Sequence, residues 1–69
     1  MRISARNQLK GVVKKLEIGT VNAEVTIELP GGTEITAMIT KKSAAQLGLE
    51  IGKEAYAIVK ASNVIVAVD

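Results

Sequence analysis

Ser4-Ala5-Arg6 and Lys60-Ala61-Ser62, near opposite ends of a 69-residue chain, each place a hydroxyl and a cation two residues apart around a small Ala. In extended backbone, side chains two residues apart share a face, so this spacing turns Ser4 with Arg6 and Lys60 with Ser62. The central Ala leaves the backbone N–H groups open to approach. Each polar side chain in the two tripeptides can donate a hydrogen bond, and no carboxylate is among them. A cationic set of donors suits a small anion whose atoms only accept, which is an oxyanion.

Other residues could join such a site. Thr40 stands before Lys41 to Leu47, a segment rich in the helix formers Ala, Lys, Gln and Leu. Thr40 reads as its N-cap, and Ser43 with Gln46 has capping-box spacing. A helix start presents unpaired N–H groups to an anion, so Thr40 and Ser43 have two open roles, capping and ligand contact. Asn22, between Val21 and Ala23, is either a solvated strand residue or a polar group of a second site. Arg6 and Lys60 taken singly read as surface cations, and their paired setting is what argues for a ligand.

Catalysis is not expected. The chain has no His and no Cys for general-base or nucleophilic work, and six Glu read as solvent-facing or interfacial charges. Its glycines match neither Rossmann nor P-loop spacing. Without Cys or His, neither a disulfide nor the usual zinc ligands are available, and no side-chain-ligated metal is expected.

The elements that must position these residues read as short strands. Val21, Ala23, Val25, Ile27 and Leu29 alternate with polar neighbours, Pro30-Gly31-Gly32 marks a turn, and Thr33 to Ile39 resumes the alternation, a hairpin. Asn7 to Ile18 is β-rich, with Gly11 as a bend or bulge. Gly48 stops the short helix. Lys53 to Ala61 is a fourth strand and Val64 to Val68 an apolar fifth. One domain, 1–69, all-β with one short helix, is therefore predicted, as an OB-like five-stranded Greek-key barrel.

Length and composition add bounds. A chain this short buries a small core, yet 48% of its residues are hydrophobic and its mean hydropathy is +0.28. Assembly into a homo-oligomer is the expected way to cover that surface. No apolar run approaches the ~20 residues of a membrane span, and Met1-Arg2-Ile3-Ser4 lacks a signal-peptide character, so a soluble, cytoplasmic protein without a membrane partner is expected. A formal charge of +2 and a single aromatic, Tyr56, argue against nucleic acid as partner.

The run Ser4-Ala5-Arg6-Asn7-Gln8-Leu9-Lys10-Gly11, with Val21-Asn22-Ala23-Glu24-Val25, Ile39-Thr40 to Ser43 and Lys60-Ala61-Ser62, resembles the molbindin (Mop) family of molybdate-binding proteins. The likeness extends over essentially the whole chain. It implies molybdate, or tungstate, bound between subunits of a homo-oligomer, a hexamer in the family, by Ser4, Ala5 and Arg6 of one chain and Lys60, Ala61 and Ser62 of its neighbour. Ser43 and Thr40 are implied on the ligand side. A second oxyanion site where three subunits meet is implied around Val21, Asn22 and Ala23. Storage or buffering of molybdate is the role implied, since the chain has no room for a DNA-binding or ATPase domain.

Molybdate is a tetrahedral dianion with four accepting oxygens. Hydrogenphosphate carries a proton that a donor-only site leaves unpaired, at about 1–3 kcal/mol when buried. The set therefore favours molybdate, tungstate or sulfate over phosphate. Two rivals are a nucleic-acid-binding OB module, which lacks its stacking aromatics here, and a purely structural oligomerisation domain, which leaves the matched tripeptides unexplained. A pterin ring would want an aromatic or an apolar slot, so the bare oxyanion is preferred.

Overall fold

A computed structural model describes all 69 residues. Its elements run β1 (Asn7–Ile18), β2 (Asn22–Glu28), β3 (Glu34–Thr40), α1 (Lys41–Gln46) and β4 (Glu54–Val59), followed by a 3-10 turn at Ala61–Asn63. The strands form one antiparallel sheet in the order β3-β2-β1-β4. β1 is the long spine. Its first half pairs with β4, from Asn7↔Val59 to Val12↔Glu54, and its second half with β2, from Val12↔Glu28 to Ile18↔Ala23.

Two features let β1 serve both neighbours. The register with β2 slips between Val13 and Lys15, a bulge that sharpens the local twist and curls the sheet. The bulged Lys14 reaches Glu28 at 3.2 Å and Glu34 at 2.6 Å, tying β1 to the β2–β3 hairpin. At Gly11 the strands come so close that a Cβ would lie 2.4 Å from the Glu28 carbonyl oxygen and 2.7 Å from Ile27 Cγ2. Only glycine fits there.

The core is small. Val13, Val25, Ile27 and Ala57 form its centre, with Leu9, Leu16, Ile35, Ile39 and Leu49 packed around them. Eight of 69 residues are buried, which leaves Val21, Met38, Leu47 and Ile51 about two-thirds exposed. The alternation over β2 and β3 forms the expected hairpin, with Gly31 and Gly32 at φ 94° and 92° in its turn. α1 begins where expected, capped by the Thr40 side chain, and Gly48 at φ 64° follows its end.

Three expectations are corrected. The fifth strand does not form: Val64 to Asp69 has no strand partner, and the barrel is a four-stranded sheet. Its β-branched residues suit a strand, but a strand exists only through a neighbour's hydrogen bonds, and beyond the 3-10 turn no backbone hydrogen bond joins this segment to either sheet edge. That turn also ends β4 at Val59 rather than Ala61. Finally, the helix cap joins Thr40 to Ser43, not Ser43 to Gln46.

Candidate functional site

β1 and β4 bring the two tripeptides together. Asn7 opens β1 opposite Val59, the last residue of β4, so Ser4-Ala5-Arg6 and Lys60-Ala61-Ser62 leave the same end of the sheet side by side. They line a single hollow of ≈ 630 Å³ with Ile3, Ile58 and Asn63. Neither tripeptide is in a strand, so alternation does not orient them as the spacing suggested. Pairing between distant parts of the chain does.

Two hydrogen bonds hold the arrangement. The Asn7 side-chain amide donates to the Val59 carbonyl at 3.1 Å, and the Gln8 amide donates to the Ala5 carbonyl at 2.9 Å. The first occupies the main-chain acceptor just before Lys60, and the second one within Ser4-Ala5-Arg6 itself. The 3-10 turn adds donors: its carbonyl acceptors at Lys60 and Ala61 take the N–H of Asn63 and Val64, so the N–H groups of Ala61 and Ser62 find no acceptor in the chain.

The charges of the hollow are uncompensated. Lys10, Lys14, Lys15 and Lys53 each lie within 4 Å of a Glu carboxylate, whereas Arg6 and Lys60 form no ion pair. Ser4, Arg6, Lys60, Ala61 and Ser62 are exposed and Ala5 is half-buried. No carboxylate lines the hollow. Elsewhere, hydrogen bonds to Glu34 and Glu28 hold the Lys14 ammonium above its ordinary pKa, and a hydrogen bond to Glu17 does the same for Lys15.

Thr40 and Ser43 lie apart from this hollow. The Thr40 hydroxyl donates to Ser43 Oγ at 2.8 Å and accepts from the Ser43 N–H at 3.0 Å. Its one proton is thereby used in capping, while the Ser43 hydroxyl proton is free. Thr40 pairs across the sheet with Asn22, so the helix start borders the Val21-Asn22-Ala23 segment. There a shallow hollow is lined by Val21 and Asn22 with Glu17, Glu24 and Met38, and Ala23 is wholly buried. Within one chain the candidate residues thus fall into two groups.

Sequence reasoning missed Asn63 as a lining residue and Asn7 and Gln8 as the residues that fix the tripeptides. Reading one residue past Ser62 would have found Asn63. No local signal distinguishes the Asn7 bond, because its partner is 52 positions away. No group of three or more His, Cys, Asp or Glu converges, and no helix is long and apolar enough to cross a membrane.

The family model of the TOBE domain matches residues 3–66. A probable molybdenum-pterin-binding protein of Haemophilus influenzae is 51% identical over 69 residues, all of both chains. Among solved structures, apo MopII from Clostridium pasteurianum superposes with a TM-score of 0.92 at 46% identity, over 97% of this chain and 100% of that one. The cytoplasmic molybdate-binding protein ModG, solved with molybdate bound, superposes with a TM-score of 0.90 at 62% identity; the match covers 94% of this chain and 46% of ModG.

Proposed function

The chain belongs to the TOBE domain family, alongside the small molybdenum-pterin-binding (Mop) proteins, and on that footing we propose that it binds molybdate as a bare oxyanion. One observation carries the reading: a single hollow gathers two cations that form no ion pair, two Ser hydroxyls and unpaired backbone N–H groups, with no carboxylate in its wall. Such a set compensates a dianion and offers nothing to a proton on the ligand. Tungstate, of the same charge and shape, is the other ligand of this reading.

The hollow of one chain is open, and an anion held there keeps much of its water. Closure by a neighbour within a homo-oligomer, a hexamer in this reading, places Ser4-Ala5-Arg6 of one subunit against Lys60-Ala61-Ser62 of the next and supplies Ser43, with Thr40 beside it, from an adjoining α1. A second site gathers copies of the Val21-Asn22-Ala23 segment around a three-fold axis. Asn22 gives its side-chain amide there, while the buried Ala23 can contribute only backbone. The biological role proposed is cytoplasmic storage or buffering of molybdate, without catalysis.

Native mass spectrometry with and without molybdate tests the reading, since it reports subunit number and bound anions together. Melting scans add selectivity. A ligand specific to the folded state stabilises it by about 2.7 kcal/mol at a hundredfold excess over Kd. Molybdate and tungstate should raise Tm most, sulfate less and phosphate least. Equal stabilisation by phosphate and molybdate would contradict a donor-only site, and no stabilisation by any oxyanion would favour a structural module.

A further inference from the structure

Residues 1–6 carry one of the two donor tripeptides, and a single hydrogen bond ties this arm to the rest of the chain. The Gln8 side-chain amide donates to the Ala5 carbonyl at 2.9 Å, and no other hydrogen bond, backbone or side-chain, reaches the arm. Gln8 lies in β1 opposite Ile58, on backbone fixed by the β1–β4 pairing, whereas the arm has no strand partner. Gln8 is therefore the fixed partner in this bond. What it orients is the peptide that joins Ala5 to Arg6.

That peptide is planar and trans, so its C=O and N–H point to opposite sides. Turning the Ala5 carbonyl to Gln8 turns the Arg6 N–H the other way. The Arg6 N–H donates to no group of the chain, like those of Ala61 and Ser62. Ala5 and Arg6 wall the hollow and Gln8 does not, so the carbonyl is occupied from outside while the donor stays free. A flip of this one peptide would exchange the two groups. For a dianion of accepting oxygens, the exchange replaces attraction by repulsion; for an anion that carries a proton, it supplies an acceptor. On the other tripeptide the 3-10 turn itself occupies the Lys60 and Ala61 carbonyls, through the N–H groups of Asn63 and Val64. Only the Ala5 carbonyl depends on a side chain.

We infer that Gln8 is a specificity-determining residue of the hollow: by holding the Ala5 carbonyl it keeps the Arg6 N–H turned to the ligand, and so sustains a preference for fully deprotonated tetrahedral anions over protonated ones. Gln8 touches no ligand and acts as a positioning residue. The inference rests on the oxyanion reading. It does not depend on whether a neighbour completes the hollow, since Gln8 and Ala5 belong to the same chain.

Sulfate and hydrogenphosphate are the probes, because both are tetrahedral dianions of similar size that differ by one proton. Their affinities are measured by competition against molybdate, at mildly alkaline pH, for the parent chain, Gln8→Met and Gln8→Lys. Met keeps the length of the side chain without its donor; Lys donates again, and its added charge acts alike on both dianions. The parent should prefer sulfate, Gln8→Met should narrow that preference by about 3- to 10-fold, and Gln8→Lys should restore it. Gln8→Thr, too short to reach Ala5, replaces Gln8→Met if that chain loses its far-ultraviolet dichroism. An equal loss for both anions, or none, would overturn the inference, because Gln8 would then at most steady the arm. So would a parent that binds both probes equally, or a preference that Gln8→Lys leaves unrestored. Direct titration of molybdate into the parent separates the two readings. No binding there removes the oxyanion reading and this inference with it, whereas binding with an unmoved ratio removes the inference alone.

Discussion

The side-chain amide of Asn7 donates to the backbone carbonyl of Val59 across 3.1 Å, joining the residue after Arg6 to the residue before Lys60. It extends the β1–β4 pairing by one bond beyond the backbone ladder, at the point where the chain ceases to be strand. The two donor tripeptides begin on either side of that bond. Their separation is thus set by the β1–β4 register, reinforced at its end by a half-buried side chain, rather than by the tripeptides themselves.

Asn7→Ala should therefore act on binding as well as on stability. A hydrogen bond of this kind contributes about 0.5–1.5 kcal/mol, and a loss of 1 kcal/mol lowers Tm by about 4–8 °C in a domain of 60–100 residues. Because the bond also fixes the spacing of the donors, molybdate affinity should fall by about 3- to 10-fold. Calorimetric titration alongside a melting scan separates the two effects. A lowered Tm with unchanged affinity would mean that Asn7 supports the sheet without positioning the site.

How much of this was legible beforehand depends on the range of the interaction. The β2–β3 hairpin is local: alternation from Val21 to Leu29, a Pro30-Gly31-Gly32 turn and renewed alternation to Ile39 are enough to specify it. The Thr40 cap is equally local. The tripeptides were found from their residue types, but strand alternation was the wrong reason for their convergence. Their meeting depends on Asn7 lying opposite Val59, a register decided 52 residues away. Val64 to Val68 shows the same limit. Its composition states a preference for pairing, whereas the existence of a strand depends on a partner that composition does not name.

Gly11→Ala should be among the most damaging single-methyl changes in this fold. The new Cβ would meet the Glu28 carbonyl oxygen at 2.4 Å, and that oxygen belongs to backbone that cannot rotate aside. Overpacking of this kind costs about 1–3 kcal/mol. Denaturant unfolding should show a lower midpoint, and β1 should separate from the end of β2 near Val12 and Glu28. An unchanged midpoint would show that the two strands are less closely held than their spacing indicates.

The ion cluster of Lys14 with Glu34 and Glu28 predicts an alkaline limit. Its folded-state pKa is raised above the ordinary 10.5, first by the hydrogen bond to Glu34 and then by that to Glu28. A raised folded pKa means that the contribution is fully present below 10.5 and is lost as pH climbs through the folded value. Thermal scans should show this contribution constant across neutral pH and falling above 10.5, and Lys14→Met should flatten that alkaline fall. The side chain is solvent-exposed, so the effect should shrink in high salt. A Lys14→Met chain with the same alkaline profile as the parent would assign the fall to other groups.

Whether one chain or two build the oxyanion site is decided by complementation. Lys60→Ala removes a charge-assisted donor from an exposed position without touching the core, and it should weaken molybdate binding by about 10- to 100-fold while the assembly persists. Ser4→Ala and Ser62→Ala remove weaker neutral donors and should each cost about 5-fold. Both tripeptides of a single chain line one hollow, so a site confined to that chain is a real competitor to a shared one. The two predict different results when Arg6→Ala and Lys60→Ala chains are refolded together. In a shared site, some interfaces of the mixed assembly combine the intact Lys60 of one chain with the intact Arg6 of another, and high-affinity binding returns in part. In a single-chain site every hollow retains one defect, and the mixture binds no better than the sum of its components. Titration of molybdate into the co-refolded sample, against each mutant alone, reads the difference directly. Absence of any recovered high-affinity fraction would remove the intersubunit arrangement and leave the hollow of each chain as the binding unit.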